Sequence, residues 1–249
     1  MKLNIQQQAH IIQVVNFIIS LYGIFYLYIT GNYWLLGVSY LIVFVYTLVG
    51  LQAGYHRLLT HKSYTTSKMM EYIMSSIGIL CIVGSPIAWV SAHRQHHRYP
   101  DTEKDPHSPH HIGWRSLFAN YQYQWDKWPI RELIVDPVHR LVHDRYFLLL
   151  IVWFAGLASI GINVLLYIGI IPMALAIWVS TISNYLNHYF GYRTYKTTDK
   201  SRNLWITAYL TFGEGWHNNH HAHSNEYRFG KRWWELDLGA WIIEHGLKA

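Results

Sequence analysis

Cysteine is all but missing from this chain: Cys81 stands alone among 249 residues. That excludes a disulfide framework, and without a CxxC pair it also excludes thiolate zinc, iron–sulfur and rubredoxin-type iron sites. Charge is scarce too, at 14% of residues, and it is segregated. No Asp, Glu, Lys or Arg occurs between Lys2 and Arg57, and a second charge-free window runs from Tyr146 to Tyr192. Repeats, low-complexity tracts and Gly/Ser/Pro linkers are absent, so nothing marks a domain boundary. The basic, aromatic-interleaved groove that nucleic acid needs is missing as well.

Apolar residues make up 51% of the chain and aromatics 16%. The first uncharged window holds apolar runs at 9–30 and 33–51, separated by Gly31-Asn32. The second holds runs at 147–162 and 164–187 around Gly161-Ile162-Asn163. A bilayer core takes about 20 helical residues to cross. The pattern therefore predicts an all-α integral membrane protein of one domain, residues 1–249, with four transmembrane helices in two hairpins. A helical cytoplasmic cap is expected from 52–146 and 188–249. The first run is long and no small-x-small site follows it, so it reads as a span and not a cleavable signal. Two hairpins put every one of the 20 Lys and Arg residues on one face: one in the N-terminal tip, eleven in the central segment and eight in the tail. A net charge of +6 suits that face against anionic headgroups. One further apolar run, 73–90, is almost long enough to span. Gly78, Gly84 and Pro86 weaken it as a straight helix, so a re-entrant or interfacial element is expected.

Histidine is where the chain is rich: 17 occur, and nine fall into spaced sets. These are His56 and His61 in "HRLLTH", His93, His96 and His97 in "HRQHH", His217, His220 and His221 in "HNNHH", and His188 in "NYLNH". On an α-helix i, i+3 and i+4 share a face, so each HxxHH can aim three imidazoles at one point. Asn184 stands four residues before His188 on the same face. His56 and His61 are five apart and cannot share a point on an undistorted helix, so they are expected to bracket a centre where the span ends. Eight or nine imidazoles exceed what one metal ion takes. Imidazole suits iron, copper and zinc, and two metals on nitrogen ligands is the natural count. His10, His107, His110, His111, His139, His143, His223 and His245 show no matching geometry and read as surface or structural histidines. A di-metal site beside a membrane suggests redox chemistry on something apolar. A zinc-dependent membrane lipid hydrolase and a non-catalytic membrane metal-binding protein stay open as other classes.

The stretches "GYHRLLTHKSY" (54–64), "WVSAHRQHHRYPDTEKDPHS" (89–108), "NYLNH" (184–188) and "GEGWHNNHHAH" (213–223) resemble the membrane fatty acid desaturases, most closely the Δ9 acyl-CoA/acyl-lipid, stearoyl-CoA desaturase-like branch. The resemblance covers nearly the whole chain. It implies two Fe2+ ions held by His56, His61, His93, His96, His97, His188, His217, His220 and His221, with Asn184 reaching the centre through a water. It also implies O2 as co-substrate, a fatty acyl substrate, and conversion of two adjacent methylenes to a double bond, with a hydroxylase on the same site as the nearest rival. Asp101, Asp105 and Glu214 become partners for the outer imidazole nitrogens, with salt bridges to Arg94 or Arg98 as the alternative. Trp89 matches an aromatic near the acyl tunnel, while Gly213 and Gly215 let the chain turn closely before the last set. Where animal acyl-CoA enzymes carry an Arg-Asp pair that contacts the CoA headgroup, this chain has Ser91-Ala92. No haem, flavin or HPGG-type cytochrome b5 motif is present, so electrons must come from a ferredoxin, cytochrome b5 or similar carrier. The compact length resembles bacterial members, which implies the inner membrane with the site on the cytoplasmic face.

Overall fold

The computed structural model describes residues 5–118 and 130–249. Lys2, Lys127 and the rest of 119–129 lie outside the described residues, as does the side chain of His10. Helix α1 spans Ile5–Ile29 and turns at Gly31, whose φ of +76° suits glycine. Helix α2 then runs unbroken through Trp34–Thr60, nine residues beyond the apolar run that announced it. Helices α3 (Lys68–Gly78) and α4 (Pro86–Arg98) follow, then α5 (Pro137–Asp144), α6 (Tyr146–Ile160) and α7 (Ile162–Tyr189). Short helices α8 (Trp205–Leu210) and α9 (His217–Ala222) lie in the tail. No strand occurs among the described residues beyond isolated bridges.

Among the described residues two helices, α2 and α7, are long and apolar enough to cross a membrane, and up to four spans result if each of two bent helix pairs counts as one. One such pair is α3 with α4, bent by 82°. The bend falls within the 73–90 run, where Ile82 (φ 54°) and Gly84 (φ +106°) reverse the chain. Ser85 then caps α4 through the Ala88 amide, with Pro86 in the first turn. A straight fifth span does not form.

Long-range hydrogen bonds explain how α7 tolerates Pro172. Proline lacks the N–H that the carbonyls four and five residues back would use, those of Ile168 and Tyr167. Tyr46 Oη donates to Ile168 O at 2.7 Å and Ser39 Oγ to Tyr167 O at 3.0 Å, both from α2. Orphaned carbonyls are costly in an apolar bundle, so these bonds also fix the register of α2 against α7. Between α2 and α3 the backbones touch: a Cβ on Gly50 would sit 2.6 Å from the Gly78 amide nitrogen. The C-terminal ends of α2 and α7 thereby arrive at the same end of the bundle, with α4 and α9 packed over them.

Candidate metal centre

All nine histidines of the spaced sets meet, in two groups. His56, His61, His93, His97 and His220 form one, and His96, His188, His217 and His221 the other. Within each group the ligand atoms lie within 4.8 Å of one another. Neither HxxHH set aims at a single point. In α4 the i, i+4 pair His93 and His97 serves the five-histidine group and His96 the other. In α9 the pair His217 and His221 serves the four-histidine group while His220 crosses over. Neighbouring residues on a helix diverge by about 100°, so one short helix presents donors to two centres side by side.

His56 and His61 do not bracket the centre from two sides. Residues Val45–Thr60 are wound as a π-helix, with the His61 N–H donating to His56 O at 3.1 Å, an i→i+5 bond. That winding brings residues five apart onto one face, and the two rings stand 4.9 Å apart.

The outer nitrogens establish what the inner ones can do. Nδ1 of His96 meets Asp105 at 2.8 Å, that of His188 meets Asp101 at 3.2 Å, that of His221 meets Asp199 at 3.1 Å and that of His56 meets Glu214 at 2.5 Å. A carboxylate only accepts, so each Nδ1 carries the proton and each Nε2 turns a lone pair inward. His56 Nε2 lies 3.0 Å from His220 Nε2, and His96 Nε2 and His221 Nε2, both backed by carboxylates, nevertheless face each other at 3.2 Å. Two lone pairs cannot share a hydrogen bond. Donors ~2.0–2.1 Å from a common cation at angles of 90–109° would be about 2.9–3.4 Å apart, which is the spacing found. His61 Nε2 is buried with no hydrogen-bond partner among the described residues. Burial, reinforced by neighbouring imidazoles, holds His217 and His220 well below the usual histidine range, and His221 is lowered to about 4 by burial despite Asp199. Burial acts to raise the Asp101 and Asp199 carboxyls, but their histidine partners and hydrogen bonds hold both well below the usual range. Imidazoles backed by ionised carboxylates fit nitrogen-ligated metal ions.

The asparagines of "HNNHH" build the support for α9. The amides of Asn218 and Asn219 donate to Asn203 Oδ1 at 2.9 and 3.2 Å. Asn219 Nδ2 donates to Phe229 O and Glu235 Oε2, while its Oδ1 accepts from Asn203 Nδ2 at 2.7 Å. Asn219→Ala would strand these buried groups, at about 1–3 kcal/mol. A lowered thermal midpoint in detergent is expected; an unchanged midpoint would show that the network is slack.

Gly213 has φ +121° and Gly215 lies against Ala208, so both allow the close turn expected of them. Asp101, Asp105 and Glu214 contact imidazoles, whereas Arg94 pairs with Glu132. Sequence reasoning missed Asp199, which sits on a loop with no spacing signal. It also missed Arg57, fully buried and bound to Glu214 and Asp237. Asn184 lies one turn before His188 and donates to His107 O at 3.3 Å. His107 stacks on His96 at 4.3 Å, and His110 Nε2 lies 3.1 Å from His188 O, so both buttress the centre. His139 and His143 bond elsewhere, to Glu71 and Ser85, and His223 stays outside the groups near Glu226. A cavity of about 110 Å³ opens beside the histidines, with Leu51, Val83, Trp89 and Ala92 in its wall. Trp89 stacks on His93 at 4.6 Å.

Residues 32–249 match the fatty acid desaturase family. The chain belongs to the fatty acid desaturase family. The desaturase is 36% identical over 234 residues to an sn-1 stearoyl-lipid 9-desaturase of Anabaena variabilis, covering 87% of this chain and 82% of the relative. It is 39% identical over 220 residues to an sn-2 palmitoyl-lipid 9-desaturase of Nostoc sp. (strain 36), covering 82% and 76%. A Delta-9 acyl-lipid desaturase 1 of Arabidopsis thaliana is 36% identical over 223 residues, covering 82% and 69%. The desaturase is thus an acyl desaturase with a fatty acyl substrate, a histidine-rich metal site and membrane helices.

Proposed function

We propose that this enzyme introduces a cis double bond at the ninth carbon of a saturated acyl chain carried on a membrane lipid, using O2 and two iron ions, one in each histidine group. The observation that carries the reading is the convergence of nine imidazoles, in two groups, beside a cavity that His56, His93 and His217 line together with Leu51, Val83, Trp89 and Ala92. Similarity to acyl-lipid 9-desaturases supports the lipid carrier and the position. The burial of Ser91 and Ala92, each 4% exposed, at the place where an Arg-Asp pair would present charge to a CoA headgroup supports the lipid carrier as well.

In this reading all nine histidines are ligands, and Asn184 joins the four-histidine group through a water. When bound, the irons supply the O2-dependent oxidation that takes one hydrogen from each of two adjacent methylenes. The chain's own contribution is position. Leu51, Val83, Trp89 and Ala92 hold a featureless hydrocarbon where no polar handle exists, and the carboxylates keep the Nδ1 protons of His56, His96, His188 and His221 pointing outward. Four spans in two hairpins would place the cap, within one domain, on the cytoplasmic face of a bacterial inner membrane. A ferredoxin or cytochrome b5 would bring electrons to the basic face of that cap.

The test is mass-spectrometric fatty-acid profiling of a desaturase-deficient host supplied with an electron donor, comparing this chain with His220→Ala. A new Δ9 monounsaturated acid, absent with His220→Ala, is expected. A hydroxy acid in its place would make the enzyme a hydroxylase, and a double bond elsewhere would overturn the position.

A further inference from the structure

The two histidine groups differ in the charge that surrounds them. In the four-histidine group three of four imidazoles are backed by carboxylates: His96 by Asp105, His188 by Asp101 and His221 by Asp199. Among the described residues none of these aspartates is paired with a Lys or Arg side chain. Their remaining oxygen valences are met by neutral donors, including the amides of His107, Lys200 and Ser201. In the five-histidine group only His56 has a carboxylate, Glu214, and none lies on His61, His93, His97 or His220 among the described residues. That one carboxylate is shared with a cation: the Arg57 guanidinium bonds Glu214 Oε1 at 3.0 and 3.2 Å. Arg57 is fully buried, with its ring-facing side 4.0 Å from the Phe229 centroid, and Phe229 in turn lies 4.2 Å from the His220 ring. A second guanidinium, Arg94, closes the carbonyls of Leu59 and Thr60 just before His61.

Resting on the two-metal reading above, we propose that the groups fill in order. The four-histidine group takes the first and tighter metal ion, and the five-histidine group the second. The fifth imidazole adds a neutral donor, but three ionised carboxylates add charge where the dielectric is low and the metal is divalent. Each outer partner is typically worth about 10–100-fold in metal affinity, and the four-histidine group has two more of them, undiminished by a cation. Arg57 is a positioning residue in this scheme: it holds Glu214 on His56 while offsetting its charge.

The experiment is an anaerobic Co2+ titration of the full-length apo-protein in detergent, read by visible absorption and by metal content after desalting. Two steps at least about tenfold apart in affinity are expected. Asp199→Asn should weaken the first step by about 10–100-fold and bring it toward the second, while Glu214→Gln should leave the first and weaken the second. Should Glu214→Gln fail to fold, His61→Ala must weaken the second step alone. Two equivalents of equal affinity in the wild type would overturn the ordering and leave the two-metal site standing. Saturation at one equivalent would overturn both. An Asp199→Asn protein with an intact first step would also overturn the ordering.

Discussion

Arg57→Met removes folded protein from detergent extracts of the membrane. Methionine keeps much of the aliphatic volume, so the effect comes from charge and hydrogen bonding. The guanidinium, at 0% exposure, bonds Glu214 on one side, Asp237 at 2.9 Å on another and Tyr227 O at 2.8 Å. Without it two carboxylates remain buried close together. Breaking a buried ion pair from one side costs about 3–5 kcal/mol, a large part of a typical fold's stability. Asp237 also accepts from the amides of Phe229 and Ala240, so its repulsion from Glu214 would loosen the whole segment that covers His56 and His220. The measurement is the monodisperse peak on size exclusion, together with its thermal midpoint. Adding Glu214→Gln and Asp237→Asn to the same protein should recover part of the peak, because it removes the stranded charges. Wild-type yield and midpoint from Arg57→Met alone would show that the network carries no stability.

Gly215→Ala separates position from folding. The missing Cβ is what lets residue 215 lie on α8: one built there would sit 2.1 Å from the Ala208 amide nitrogen and 2.5 Å from Thr207 Oγ1. Backbone cannot yield as a flexible side-chain tip can, so the chain entering α9 must shift. That chain is anchored on both sides, by the Leu204 N–H to Gly215 O at 2.9 Å and by the asparagine network at Asn218 and Asn219. A displacement near 1 Å carries into His217, His220 and His221, which belong to both groups. Misplacement on that scale costs about 100-fold in turnover. The double-bond yield should fall by about that factor while the size-exclusion peak stays near wild type. A yield within a fewfold of wild type would mean the helix absorbs the methyl without moving its imidazoles.

The residue types and spacings of the histidine sets were enough to name every residue in the two groups. The apolar windows foretold α2 and α7, which lead to His56 and His188, and Gly84 and Pro86 foretold the break between α3 and α4. Three things were hidden for physical reasons. Hydropathy ends α2 near residue 51 because Gln52, His56 and Arg57 are polar, yet all three are buried in the helix that continues, where His56 meets Glu214 and Arg57 meets Glu214 and Asp237. The split of each HxxHH depends on where the second centre lies, which is a tertiary fact. Asp199 reaches His221 across 22 residues of chain, and Asp237 reaches Arg57 across 180, so no local pattern could have flagged either.

The wide winding of α2 ties the depth of that helix to its histidines. A helix that must fit a bilayer a few ångströms thicker ordinarily gains a residue or two, at a modest cost in mismatch. Here an inserted or deleted residue between the tyrosine that braces α7 and the first histidine would turn the His56 and His61 side chains by roughly 80–100° relative to that brace. Tyr46 and His56 are ten residues apart on one rigid rod, and the bond from Tyr46 to Ile168 fixes its depth. The depth of α2 is therefore locked to the orientation of His56 and His61.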